Sequence, residues 1–257
     1  LGEQSALNFV HFIHADKRSK LAWFGVFSEE RYYVKEGNDR IANGVAKAIG
    51  TGPFRKGYRL TAVEQVGSQI RLSFANKPAA LHDAVVIAIP FTVLRAAVRL
   101  DASLNLPQDK IDAINKLRYG TNTKMAIGMK STPWRRATLE APDGYNGYCY
   151  SDGLPNAQIV FPASPHEFVE DLDGSNGRAV LVDYGSGTRG ANINPSNPTG
   201  EAEKFLSDFD QAWPGVKAAA MRDSRGRLTK VRLDAWPQNP NSLGSYTCYK
   251  TGQFTTI

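Results

Sequence analysis

Few residues in this sequence have types and spacings that could do chemistry. The most literal motif is Gly185-Ser-Gly187-Thr-Arg-Gly190, a G-x-G-x-x-G directly after an apolar run. Such glycines bind a pyrophosphate when a helix starts among them, because its free N–H groups then point at the phosphates. The residues that follow, Ala191 to Pro198, hold two prolines and three asparagines and predict a flexible loop instead of that helix. Asp171-Leu-Asp173-Gly-Ser-Asn-Gly177 has the acidic spacing of a calcium loop, but its glycine is out of register and Val182 stands where the bidentate glutamate belongs, so it reads as a turn. His11 and His14 lack a third ligand, and Cys149 and Cys248 allow at most one disulfide and no zinc site; no metal is expected. Lys124 is different. It is the one charge in the strand-like run Thr121 to Met129, and a lysine there either snorkels to the surface or is held for a purpose, since a near-buried lysine shifts its pKa readily.

The elements that must position these groups follow from periodicity. Leu7 to Ile13 reads as a helix that ends in the basic loop His14 to Lys20, and Arg31 to Val34 as a short strand. Asn38 is placed to cap a helix in which Ile41, Val45 and Ile49 form one apolar face and which Gly50 ends. Ile70, Leu72 and Phe74 alternate with polar residues as in a half-buried strand. Asp83 to Ile89 is apolar without interruption after its aspartate, which predicts a strand covered on both faces, as in a parallel sheet. Short helices are expected over Phe91–Val98 and after Pro107, and a buried strand over Ala179–Tyr184. Thr199 is expected to cap a helix carrying Phe205, Phe209 and Trp213. Trp236 to Tyr249 mixes turn residues with aromatics.

Composition sets bounds. The chain has 257 residues, 42% of them hydrophobic and 22% charged, which excludes disorder and a disulfide miniprotein and suffices for a real core. The net charge of +6 comes from clusters such as Lys17-Arg18-Ser-Lys20 and Arg222 to Lys230, which read as solvated loop charge; no nucleic-acid motif accompanies them. No run reaches the length of a membrane span, so a soluble protein is expected. The start at Leu1 and the stop at Ile257, within an aromatic, β-prone run, read as a segment of something longer.

Four segments together resemble the flavin-containing amine oxidases, the family of monoamine, polyamine and L-amino-acid oxidases. They are Tyr33 to Ile41, Asp83 to Leu94, Leu117-Arg-Tyr-Gly-Thr-Asn-Thr-Lys124 and Trp236 to Tyr249, with Trp134 where the family has an aromatic. The resemblance implies that Lys124 is the lysine that holds a water at the flavin and assists proton movement or reoxidation. It implies that Tyr246 is one wall of an aromatic sandwich for the substrate amine, that Trp236 packs near the flavin, and that the Leu60 backbone touches the adenine side of the cofactor. Ser245 stands where animal monoamine oxidases carry a cysteine bonded to the flavin, so FAD is expected to be held non-covalently. The family's amino-terminal strand–glycine–helix and its late glycine-rich segment have no counterpart in these residues, which leaves an incomplete FAD site.

The fold so implied is α+β: a mainly antiparallel substrate-domain sheet with flanking helices, plus strands of an incomplete FAD-binding, Rossmann-like domain. The divisions expected are 1–36, a helical substrate-domain segment; 37–105, part of the FAD-binding domain; 106–235, the substrate-binding domain; and 236–257, a flavin-facing aromatic segment. The implied function is a fragment or subunit of an amine oxidase acting on an amine or an L-amino acid, inactive alone, with a second chain as a candidate carrier of the missing segments. The competing expectation is a non-catalytic truncated homologue serving as a binding module.

Overall fold

A computed structural model describes residues 5–7, 34, 37–136, 147, 149–162 and 179–256. The expected helix over Leu7 to Ile13 beyond Leu7, the His11 and His14 pair, the basic loop, Arg31 to Tyr33 and Asp171 to Gly177 lie outside the described residues. The chain is α+β, as expected, and divides into two compact units, residues 1–118 with 247–257, and residues 119–246.

In the first unit, helix α1 (Asp39–Ile49) carries Asp39 in its first turn and Lys47 in its last, each suited to the helix dipole. Asn38 precedes it, but its side-chain oxygen accepts from the Val34 N–H instead of capping the helix; Asp39 instead accepts from the Asn43 amide at 3.0 Å. Gly50, at φ 85°, ends the helix as expected. The face formed by Ile41, Val45 and Ile49 is exposed. Strands β1 (Arg59–Val66) and β2 (Gln69–Ala75) form a hairpin through Gly67-Ser68, and β3 (Lys77–His82) joins β2 through Asn76 alone, in the left-handed region. Strand β4 (Arg99–Leu100) runs parallel to β1, giving the sheet order β3-β2-β1-β4.

The run from Asp83 to Ile89 is not the covered strand that its composition predicts. Residues 84–88 form no ladder among the described residues, and Val86 is 93% exposed. A continuous apolar run records a preference for cover on both faces; it does not supply the neighbouring strands. Helices α2 (Phe91–Ala97) and α3 (Gln108–Lys116) follow, with Pro107 as the residue before the first turn. Arg95 on α2 donates to the carbonyls of Ile114 and Leu117, each at 2.8 Å, and so closes the carboxyl end of α3. The β-prone end of the sequence forms a helical turn, Gln253–Thr256. The Thr255 and Thr256 hydroxyls donate back to the Gly252 carbonyl, a local bond that competes with a sheet ladder.

The second unit contains strand β5 (Arg118–Tyr119) in part, then β6 (Thr123–Met129), β7 (Cys149–Tyr150), β8 (Ile159–Pro162), β9 (Ala179–Gly185) and β10 (Val231–Ala235). All neighbours in the sheet β10-β6-β9-β8-β7 pair antiparallel. Along β6, Thr123, Met125, Ile127 and Met129 are buried while Lys124 is exposed, the period-two signature of a strand with one core face. That core is shared with helix α5 (Pro198–Ala212), whose Phe205, Leu206 and Phe209 are fully buried, with the two phenyl rings stacked at 5.6 Å. The cap of α5 is Asn197, not Thr199: its side-chain oxygen accepts from Gly200 at 3.0 Å, and Pro198 fills the first helical position, where its missing N–H costs nothing. Both cysteines are free thiols.

Candidate active site on the outer sheet face

Residues of β6 that point away from the core gather the chemistry. Lys124, Ala126 and Gly128 lie opposite Tyr184, Val182 and Val180 of β9, and opposite Asp234, Arg232 and Lys230 on the β10 side. The face thus carries aromatic groups at the Lys124 end and Arg232 and Lys230 along the β10 side, where a Cβ on Gly128 would lie 2.7 Å from the Lys230 Cβ. Lys124 Nζ sits 5.6 Å from the ring centroid of Tyr184 and 5.9 Å from that of Phe161, so its ammonium lies over two aromatic faces. Asp234, directly across from Lys124 in register, is engaged by Arg232 at 2.7 Å, and no ion pair to Lys124 occurs among the described residues. Lys124 is thus exposed on the outer face, with its ammonium over the two rings.

Tyr246 comes to this face from a loop. Its carbonyl accepts from Gly120 at 2.8 Å, and the Ser245 N–H donates to the Gly120 carbonyl at 2.8 Å. The Ser245 hydroxyl donates to the buried Asn122 side chain at 2.7 Å, so the residue that replaces a flavin-linking cysteine in the resemblance is a structural tether here. Gly244 lets the loop pass: at φ 149° it is buried, and a Cβ there would lie 2.5 Å from the Tyr119 Cβ. Tyr246 is 63% exposed as a residue, and its hydroxyl hydrogen-bonds the Tyr184 hydroxyl. Burial, and then the Tyr246 hydroxyl, push the Tyr184 phenol above its ordinary range.

Trp236 begins a 3₁₀ turn immediately after β10, and its carbonyl accepts from the Ser242 hydroxyl at 2.8 Å and the Gly244 N–H at 3.1 Å, which fixes the loop carrying Tyr246. Leu60 belongs to the first unit, on β1 beside the register break before Ala62. The structure thus brings Lys124 and Tyr246 onto one face through Tyr184, holds Trp236 at the base of the same loop, and leaves Leu60 in the other unit. Sequence reasoning missed Tyr184 and Phe161. Tyr184 was part of an expected buried strand, and its partnership depends on the register Lys124 to Tyr184, which a single sequence does not contain.

The G-x-G-x-x-G requires a correction. Gly187–Asn192 is a helix, α4, not the flexible loop expected, because Pro195 and Pro198 lie beyond it. The helix is short, and its side chains serve packing: Arg189 turns back and grips Asp183 with both guanidinium ends, at 2.8 Å for the first. Thr121 donates its hydroxyl to the Gly187 carbonyl at 2.7 Å. A Cβ on Gly190 would lie 1.9 Å from the Thr121 carbonyl oxygen, and one on Gly185 2.6 Å from the Thr123 hydroxyl. Protein fills the space beside Gly185 and Gly190, whereas Gly187 has open space around it.

Asp183 faces the core, fully buried beside Arg189, and burial raises its carboxyl to about 6 against the opposing pull of the guanidinium. A carboxyl with a raised native pKa contributes stability that is complete below its unfolded value near 4 and is lost as pH rises through about 6. Asp183→Asn is therefore expected to remove a downward slope of unfolding free energy between about pH 4 and pH 6, read as the difference between the urea titrations of the two proteins across that window. Identical slopes would show that the guanidinium holds the carboxyl at its unfolded value. Elsewhere the basic stretch after Met221 is largely paired, with Arg222 on Glu203 at 2.9 Å and Arg227 on Asp223 at 2.8 Å. Among the described residues no group of ligands could hold a metal ion, and no helix is long and apolar enough to cross a membrane.

The family model "Flavin containing amine oxidoreductase" matches residues 3–256. Polyamine oxidase 4 of Oryza sativa subsp. japonica is 21% identical over 90% of this chain and 45% of its own length, and polyamine oxidase 1 of the same plant 23% identical over 88% and 46%. Among solved structures, cyclohexylamine oxidase from Brevibacterium oxydans IH-35A superposes with a TM-score of 0.67 at 15% identity, covering 99% of this chain and 51% of that one. Putrescine oxidase bound to putrescine gives 0.61 at 15% identity over 85% and 43%. The chain spans about half the length of the curated relatives it matches most fully.

Proposed function

Because the chain belongs to the flavin-containing amine oxidoreductase family, we propose that it supplies the substrate-facing part of an FAD-dependent amine oxidase. The observation that carries the reading is the single sheet face on which Lys124, Tyr184, Phe161 and Tyr246 meet. That donor set fits the substrate side of a flavin ring: an exposed cation presenting N–H groups beside one open phenol ring. When bound, the flavin takes two electrons from the amine-bearing carbon and passes them to oxygen as hydrogen peroxide, leaving an imine that water hydrolyses.

In this reading the protein's own residues position and protect. Lys124 holds a water at the flavin and assists reoxidation or proton movement, and the Tyr246 ring orients the amine against its face. Trp236 and Tyr246 line the cofactor, and the Leu60 backbone supports its adenine end. FAD is held non-covalently, since Ser245 has no sulfur with which to form a thioether to the flavin. The pyrophosphate is held by polypeptide other than the Gly185–Gly190 segment, where protein fills the space beside Gly185 and Gly190. The exposed run around Val86 and the exposed face of α1 are where further polypeptide of the FAD domain packs, in the same chain or in a second one; the half-length match to the relatives supports this.

A peroxide-release assay on the complete flavin-loaded protein tests the reading. Turnover is expected with a diamine or polyamine, or with an L-amino acid; no peroxide from any of these would overturn it. The 257 residues alone are expected to purify without flavin, and a yellow, flavin-loaded preparation would refute the shared-site proposal. Val86→Asp is expected to leave the unfolding of the 257-residue chain within about 0.5 kcal/mol of the parent, as for a surface change. In the complete protein it should abolish flavin retention; full retention would show that the run stays uncovered.

A further inference from the structure

We propose that Tyr184 is a positioning residue that holds the Tyr246 ring in place through the bond between the two phenol hydroxyls. The proposal deepens the amine-oxidase reading, since it assigns the device that aims the ring presented to the substrate. Tyr246 sits on a loop whose backbone is fixed by Gly120 and Ser245, yet its ring projects into solvent with 63% of the residue exposed. A ring so placed turns freely about two side-chain torsions unless its far end is tied, and the free rotamers must then be given up on binding. Tyr184 lies on β9, half-buried, with its neighbours set by the sheet: Lys124 opposite in register, and Phe161 with its ring centroid 6.3 Å away. A strand residue gripped in this way is a rigid anchor for a loop residue that has none.

The same side chain has a second contact that the proposal must be separated from. The Lys124 ammonium rests over the Tyr184 ring, 5.6 Å from its centroid, and that contact needs the ring and not the hydroxyl. Tyr184→Phe therefore removes the tether and keeps the platform for Lys124. Tyr184→Leu removes both. In the hydroxyl pair one phenol donates and the other accepts, so one O–H proton is left to point at solvent or at a substrate nitrogen. The groups that face the pair from the packed elements are Lys124 on β6 and the ring of Phe161 on β8.

The experiment places 3-fluorotyrosine at position 246 and records its fluorine resonance in the complete protein without flavin. The parent is expected to give a resonance displaced from that of free fluorotyrosine. Tyr184→Phe should move it to the free value while thermal unfolding stays within about 0.5 kcal/mol, the range for a surface change. In the flavin-loaded protein, Tyr184→Phe and Tyr246→Phe should each lower kcat/KM about tenfold and the double variant no further, because both remove the same contact. Retention of the displaced resonance in Tyr184→Phe, or multiplying effects in the double variant, would overturn the proposal. If the loaded protein oxidises no amine, the reading of function fails while the resonance still decides whether Tyr184 holds Tyr246.

Discussion

Lys124→Met, made in the complete flavin-loaded protein, is expected to slow one flavin half-reaction by about 10²-fold, the lower end of what a positioned proton-handling group contributes. The expectation comes from position. Lys124 is exposed on a sheet face whose opposite side is the packed core, so its removal opens no cavity among Met125, Ile127 and Met129. Methionine keeps a similar length over the rings of Tyr184 and Phe161, and the lost cation–π attraction is worth about 0.5–1 kcal/mol at an exposed site. Unfolding free energy should therefore fall by no more than about 1 kcal/mol. A large kinetic loss with a small stability loss separates a chemical role from a structural one. Lys124→Arg keeps the charge but replaces a compact ammonium by a planar fork, and is expected to restore little of the rate. Stopped-flow traces of amine reduction and of oxygen reoxidation that match the parent in both phases would remove Lys124 from the mechanism.

The second large effect concerns Gly190. Gly190→Ala is expected to destabilise the second unit by about 3 kcal/mol, the upper end for forced overpacking, because its Cβ would meet the backbone carbonyl of Thr121, which cannot swing aside as a side chain could. Gly187→Ala should cost only about 1 kcal/mol: the position has open space around it, and the strain lies in its φ of 57°. The ordering discriminates between two meanings of the motif. If the glycines cradled a phosphate, Gly187→Ala would cut flavin content while Gly190→Ala left it alone; as packing residues, both should retain flavin in proportion to folded protein. Chemical denaturation of the two variants and the absorbance ratio of flavin to protein provide the comparison.

How far the sequence could be read depended on what each element needed from elsewhere. The hairpin with Ile70, Leu72 and Phe74 was legible from its alternation and its Gly67-Ser68 turn, and the strand carrying Lys124 and the helix with Phe205 and Phe209 from their one buried face. Caps were less so: Asn38 bonds backward to Val34 and Asn197 displaces Thr199, since side chains two residues apart compete for the same N–H groups. The run after Asp83 misled because hydrophobicity states a demand for cover that the described residues do not meet. The glycine motif misled on the helix, which exists at Gly187–Asn192, and its Gly190 lies against the Thr121 backbone. At the site, Lys124, Trp236 and Tyr246 were found through resemblance, whereas Tyr184 is defined by strand register, a relation between residues 60 apart in number and adjacent in space.

The alternation along β6 makes an address out of parity. Lys124 faces outward only because Thr123 and Met125 face inward, so core and chemistry are written on odd and even positions of one strand. Inserting a single residue between Thr123 and Met129 would place the lysine in the core and a methionine before the substrate, whereas inserting two would keep every side chain on its own face. The strand tolerates only even changes, and the segment Gly120 to Asn122 that leads into it is held by Ser245, Tyr246 and Gly187. A designer grafting a different cation or aromatic onto the face thus inherits a simple constraint: change even positions for chemistry, odd ones for stability, and never slide one against the other.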